Sequence, residues 1–262
     1  MKGVGAIVSY YIDSSLHVGL AVMSLVHVSA LSIATAFPFS VYASAFLATV
    51  LGYNTIKYGW KRNRKGLFVP GRFPVVTLMA LVGLLGGIYK LSLLQLGVFL
   101  TIGIMVMFYT FPVQKGGLNL RNQRKIKIYW VALVWALFTV VFPFPEQMFE
   151  EFSGFGLLIH RFVFVFCATL PFEIRDFPTD SPLLRTWPQR FGITTTRRVG
   201  MALVISAATV IFFLEVEPTI VTLLTHFSLA LAIGLAKANQ SQYYASFWVE
   251  SIPILWAVTF YL

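Results

Sequence analysis

The sequence predicts an all-α, polytopic membrane protein, and three observations predict it. The chain is 58% hydrophobic and only 11% charged, with mean hydropathy +0.78, against roughly 25% charged residues in soluble domains. Its apolar residues gather in nine blocks, each close to the about 20 residues that a membrane-crossing helix needs. Its net charge of +10 sits in the polar segments between those blocks. Charge so placed argues against nucleic acid as a partner and for the preference of Lys and Arg for the cytoplasmic side of a membrane. A single transmembrane domain, 1–262, is expected.

The blocks define the elements in order. The first span is read over 14–36, with Asp13 or Ser14 as N-cap. The second is 39–57, after Pro38. The third and fourth, 74–90 and 93–112, are separated by little more than Leu91 and Ser92. The fifth is 127–143 and the sixth 153–175. The last three are 199–214, 218–236 and 246–262. Each carries large apolar residues on more than one face, as a helix packed among helices and lipid does. The glycines at 83, 86 and 87 suggest a close helix–helix contact.

The loops alternate in charge. Three are basic: Lys57, Lys61, Arg62, Arg64, Lys65 and Arg72; then Lys115, Arg121, Arg124, Lys125 and Lys127; then Arg175, Arg185, Arg190, Arg197 and Arg198. They follow the second, fourth and sixth spans, so a nine-span chain puts all three on one side. The intervening loops are acidic, with Glu146, Glu150 and Glu151, then Glu215 and Glu217. The expected orientation has the N-terminus in the cytoplasm and the C-terminus outside, in a cell's inner (plasma) membrane. No removable signal peptide is expected. Cys167 is the only cysteine, which excludes an internal disulfide.

The chemistry-bearing segment is Glu173-Ile-Arg-Asp176-Phe-Pro-Thr-Asp180, followed by Arg185-Thr-Trp-Pro188 and Phe191-Gly192. Carboxylates at a membrane face need a counter-charge or a metal. At spacings i, i+3 and i+7 a helix carries all three on one face, and converging hard oxygens suit Mg²⁺ with a bound phosphate. Solvated loop ion pairs with the nearby arginines are the alternative, and these contribute little. Pro178 has no N–H, so the helix is expected to break near Phe177 and leave Asp180 placed by a turn.

On these residues the chain resembles the UbiA superfamily of intramembrane prenyltransferases over nearly its whole length. Glu173 to Asp180, with the trailing Arg185-Thr-Trp-Pro188, is similar to the family's second acidic motif, Asp-x-x-Asp-x-x-x-Asp. Tyr109-Thr-Phe-Pro-Val is similar to its Tyr-Ser-x-Pro segment. Gly52-Tyr-Asn54-Thr-Ile-Lys57-Tyr58 stands where the family carries its first acidic motif. The resemblance implies a helical bundle around a lateral cavity, capped on its cytoplasmic side by the two motifs. There Mg²⁺ and a prenyl diphosphate bind, and the prenyl group passes to a lipophilic, aromatic acceptor. By that resemblance Asp176 and Asp180, with Glu173, hold Mg²⁺. Asp176, Asp180 and Lys57 serve catalysis. Lys115, Arg185 and Lys57 or Arg62 clamp the diphosphate, and Asn54, Tyr58 and Tyr109 line the pocket.

The first motif departs from the family. Asn54 stands, but Thr55, Tyr58 and Arg62 occupy the aspartate positions, and no carboxylate lies between Asp13 and Glu146. Either Lys57 and Arg62 bind the diphosphate where a second metal wall would be, or the first wall has lost its role. An intramembrane terpene cyclase of the same superfamily, or a non-catalytic lipid-binding or transport protein that kept only the fold, therefore stay open as alternatives. The ionisable residues cluster at one membrane face, which favours a capped site over a conduction path.

Outside the motifs, His17, His27, His160 and His226 show no pairing at helical spacing, so packing or a local hydrogen bond is expected of each. His160, beside Arg161, is expected near the membrane interface. Asn239 and Tyr244 are weak candidates for the cavity rim. Glu250 early in the last span faces either the cavity or the interface.

Overall fold

The apolar blocks fold as helices because a chain with few exposed polar partners satisfies its N–H and C=O groups within each segment. In the computed structural model, residues 1, 64–66, 113–118, 124, 147–151, 214–218 and 262 lie outside what is described, as do the side chains of 2–4, 62, 152–153, 210–213 and 219. Lys115, Arg64, Lys65, Arg124, Glu150, Glu151, Glu215 and Glu217 therefore lie outside the described residues, as does the side chain of Arg62.

The elements run α1 (Lys2–Asp13), α2 (Leu16–Ser32), α3 (Phe39–Tyr58), β1 (Trp60–Arg62), β2 (Phe68–Pro70), α4 (Pro74–Ile88), α5 (Leu93–Thr110), α6 (Lys127–Ala136), α7 (Phe152–Asp176), α8 (Trp187–Phe213), α9 (Thr219–Leu235) and α10 (Glu250–Thr259). Two π-helical turns, Leu137–Val141 and Tyr244–Val249, continue α6 and lead into α10. Each expected span overlaps a helix, but α1 was not expected, and α8 begins at Trp187, so Arg190, Arg197 and Arg198 lie in a helix where a loop was expected. Among the described residues, Phe39–Tyr58, Leu93–Thr110 and Gly154–Asp176 are long and apolar enough to cross a membrane. The pair Gly5–Asp13 and Leu16–Ser32, bent by 60°, passes that test together. Pro74–Ile88, Lys127–Val141 and Ile220–Leu235 are shorter apolar helices.

Local chemistry corrects several expectations. The first span begins at Leu16, and Ser15, not Asp13 or Ser14, precedes it in the left-handed region at φ 65° without capping it. The basic loop after α3 folds back as an antiparallel hairpin pairing Trp60 with Pro70 and Arg62 with Phe68. At Gly192 the backbone of α8 takes φ 76°, a conformation that strains any side chain. Of the expected glycine contact, Gly83 abuts Leu47, whereas Gly86 has no neighbour within 4 Å of where a Cβ would stand.

The main core joins α2, α6, α7, α8, α9 and α10 through Leu25, Phe164, Leu170, Val204, Leu229, Ile233 and Trp256. His160 and Arg161 lie inside this region, 3% and 0% exposed. The Arg161 guanidinium donates to Leu25 O (2.7 Å) and Ser29 Oγ (3.2 Å). The His160 and His226 rings meet Nε2 to Nε2 at 2.8 Å. Helix α8 packs on α7 and α9, behind the wall that α7 presents to the opposite side.

Candidate substrate cavity

Helix α7 ends at Asp176 because Pro178 cannot continue its ladder. The N–H groups of Thr179 and Asp180 turn back onto Asp176 O at 2.9 and 2.8 Å. Asp180 is thus placed by a turn, as Pro178 implied. The three carboxylates then part company. Glu173, 4% exposed, accepts from Trp187 N at 3.1 Å, satisfying an orphan N–H at the start of α8. Asp176 is held through both oxygens by its neighbour, Arg175 Nε to Oδ1 at 2.7 Å and Nη2 to Oδ2 at 3.2 Å. Asp180 faces Lys127, whose Nζ is 3.5 Å from Oδ2, and among the described residues that buried Oδ2 has no hydrogen-bond partner.

The end of α3 forms the opposite wall. Lys57 Nζ donates to Ser15 Oγ (3.1 Å), which donates to Asn54 Oδ1 (2.8 Å). Asn54 Nδ2 donates to Thr77 Oγ1 (3.0 Å), which donates to Phe73 O (3.0 Å). Every donor in this relay meets an acceptor, so each bond polarises the next. Tyr58 OH donates to Asp13 O at 2.9 Å. Arg72 pairs with Asp13 at 3.4 Å and lies over the rings of Tyr58 and Phe73. The hairpin that carries Arg72 toward α3 therefore also fixes the break between α1 and α2.

Between these walls lies a cavity of about 610 Å³, in the usual range for a site that encloses a small ligand. Its body is hydrocarbon and aromatic, with Leu25, Phe99, Trp135, Phe138, Phe164 and Phe172 on its surface. Its mouth carries Lys57, Tyr58, Tyr109, Arg121, Lys127, Glu173, Arg175, Asp176 and Glu250. Helices α2, α3, α5, α6, α7 and α10 supply most of the wall, the end of α1 adds Ile12 and Asp13, α4 adds Leu84, and α8 and α9 supply none of it.

Of the residues read from the sequence, Lys57, Tyr58, Tyr109, Glu173 and Asp176 meet at this one cavity. Others do not. Asn54 is 2% exposed and stands behind the wall, as the central link of the relay that holds Lys57. Asp180 and Arg185 line a second pocket with Phe177, Pro178 and Arg190. Asn239 and Tyr244 are not on the cavity surface, and the Tyr244 hydroxyl donates to Ala232 O at 2.6 Å. Sequence reasoning placed Arg121, Lys127 and Arg175 among loop charges and so missed them at the mouth. For Arg175 its place inside the acidic segment, and for Lys127 its place at the start of α6, were the available signals.

Hard oxygen donors suit Mg²⁺. Here Glu173 accepts from an N–H, Asp176 pairs with a guanidinium, and Asp180 faces the Lys127 ammonium at the edge of the second pocket. No group of three or more His, Cys, Asp or Glu among the described residues is placed to hold a metal. The mouth instead offers cations, which bind phosphate oxygens directly. Set against models of known protein families, against functionally described proteins and against solved structures, the chain gives no match.

Proposed function

We propose that the protein binds an isoprenoid diphosphate in this cavity and transfers its prenyl group to a lipophilic acceptor within the membrane. One observation carries the reading. Segments far apart in sequence, around Lys57, Tyr109 and Glu173–Asp176, meet at the charged mouth of a cavity whose body is apolar. Each buried CH₂ contributes about 0.8 kcal/mol, so a tail of about ten carbons outweighs a single charge-assisted hydrogen bond of about 1.5–3 kcal/mol. The body therefore sets affinity for the tail, and the mouth sets which end enters. Lys57, Arg121, Lys127 and Arg175 stabilise the charge that gathers on a departing diphosphate. The aromatic rings of the body stabilise an allylic cation.

The proposal includes a nine-span bundle of the UbiA type. Its basic loops and N-terminus face the cytoplasm and its C-terminus lies outside. Mg²⁺ belongs to it as the counter-ion of the diphosphate, with Glu173, Asp176 and Asp180 as its proposed ligands.

The engagement of Glu173 and Asp176 with Trp187 N–H and Arg175 favours a second reading, a protein that holds the lipid without turning it over. One experiment separates the two. Purified protein in detergent is incubated with labelled farnesyl and geranylgeranyl diphosphate, with and without Mg²⁺. Retention of label together with diphosphate release, both reduced in Lys57→Ala, supports transfer. Retention without release leaves the holding protein. Absence of retention sinks both.

A further inference from the structure

Glu250 opens α10 at the end of the π-helical turn Tyr244–Val249. Its N–H reaches Ala245 O, five residues back, so the turn is widened just before the carboxylate. Such bulges frequently sit at functional positions. This one is pinned from α2. His17 Nε2 lies 3.0 Å from Phe247 O, which can only accept, so Nε2 carries the proton and Nδ1 receives the Tyr11 hydroxyl at 3.1 Å. Ser251 Oγ donates to the same carbonyl at 2.7 Å.

The pinned bulge leaves Glu250 half-buried and lining the cavity. Every other acid on that wall has a partner: Asp13 has Arg72, Glu173 has the Trp187 N–H and Asp176 has Arg175. Among the described residues no hydrogen bond or ion pair holds the Glu250 carboxylate. Lys57 and Arg175 are the cations whose charge reaches it through space, but Lys57 donates to Ser15 and Arg175 to Asp176 and Ser246. A half-buried carboxylate without a donor is costly. A ligand that brings a donor removes that cost.

We infer that Glu250 is the acceptor-binding residue of the cavity: its carboxylate takes the hydrogen bond of a hydroxyl on a lipophilic acceptor. Two flanking cations disfavour a charged amine in that place, so the acceptor class is a neutral hydroxyl-bearing lipophile. The inference rests on the proposed transfer. In that step the allylic C1–O bond breaks and the diphosphate leaves with the electron pair. The acceptor oxygen forms the new bond to C1, and its proton passes to Glu250.

The test compares 1-naphthol with 1-methoxynaphthalene, probes that differ in the hydroxyl proton, by equilibrium dialysis against the full chain in detergent. The parent is expected to prefer 1-naphthol by about tenfold, the scale of one hydrogen bond to a charged group. Glu250→Gln is expected to lose most of that preference, and Glu250→Asp to keep part of it. Equal binding of the two probes by the parent, or an undiminished preference in Glu250→Gln, overturns the inference. If Glu250→Gln binds neither probe, Glu250→Asp decides: a retained preference supports the inference, and binding without preference overturns it. Labelled geranylgeranyl diphosphate is measured on the parent separately. Failure there removes the transfer reading, while the naphthol preference still reports on Glu250.

Discussion

The Arg175 guanidinium and the Asp176 carboxylate form a two-point pair between adjacent residues, 2.7 Å from Nε to Oδ1 and 3.2 Å from Nη2 to Oδ2. Both groups are about a quarter exposed, so the pair is screened and modest in energy. Its effect is that any other anion must compete with Asp176 for one of the cavity's two arginines. Asp176→Asn releases that guanidinium. We expect the variant to bind labelled prenyl diphosphate severalfold more tightly in the presence of a chelator. Weaker binding, restored by Mg²⁺ only in the parent, would leave Asp176 with the role of metal ligand.

Glu173 predicts a stability effect. Its carboxylate accepts from Trp187 N at the start of α8. Glu173→Ala leaves a buried N–H unpaired and costs about 1–2 kcal/mol. Glu173→Gln keeps an accepting oxygen and is expected nearer the parent. Thermal unfolding in detergent ranks the three, and equal midpoints for Ala and Gln would remove the capping role.

Asn54 is expected to matter through Lys57. Asn54→Ala deprives the Ser15 hydroxyl of its acceptor and so loosens the group that holds Lys57 Nζ. A loss of about 1–3 kcal/mol is expected, read as a lower unfolding midpoint. Diphosphate binding should fall, but by less than in Lys57→Ala. A larger fall than in Lys57→Ala would mean that Asn54 touches the ligand itself.

Gly200 lets α8 approach α7 and α9. A Cβ there would stand 2.5 Å from Leu170 Cδ1 and 3.1 Å from Ile233 Cγ2. Gly200→Ala is expected to cost about 1–3 kcal/mol through overpacking. Adding Leu170→Val, which shortens the opposing side chain, should recover part of the loss. Purely additive effects in the double-mutant cycle would show that the two residues do not compete for space.

The sequence by itself determined where the apolar helices lie, though not α1 or the first turns of α8, and where α7 stops. Both are largely local matters: an apolar block satisfies its own backbone bonds, and Pro178 lacks the N–H that would carry the ladder past Asp176. The motifs by which it resembles the UbiA superfamily grouped Lys57, Tyr58, Tyr109, Glu173 and Asp176, and all five line the one cavity. Tertiary structure decided which partner each polar group finds. Asn54 meets Ser15 and Thr77, 39 and 23 residues away, and is thereby drawn behind the wall. His160 meets His226 across 66 residues in the core. Asp180 and Arg185 turn into a separate pocket. Glu250 meets no donor and faces the cavity with the cations of α3 and α7 nearby. A polar side chain among helices is satisfied by whichever donor or acceptor the packing brings within about 3 Å. Spacing along the chain therefore locates the helix face, and the packing of the helices settles the chemistry on it.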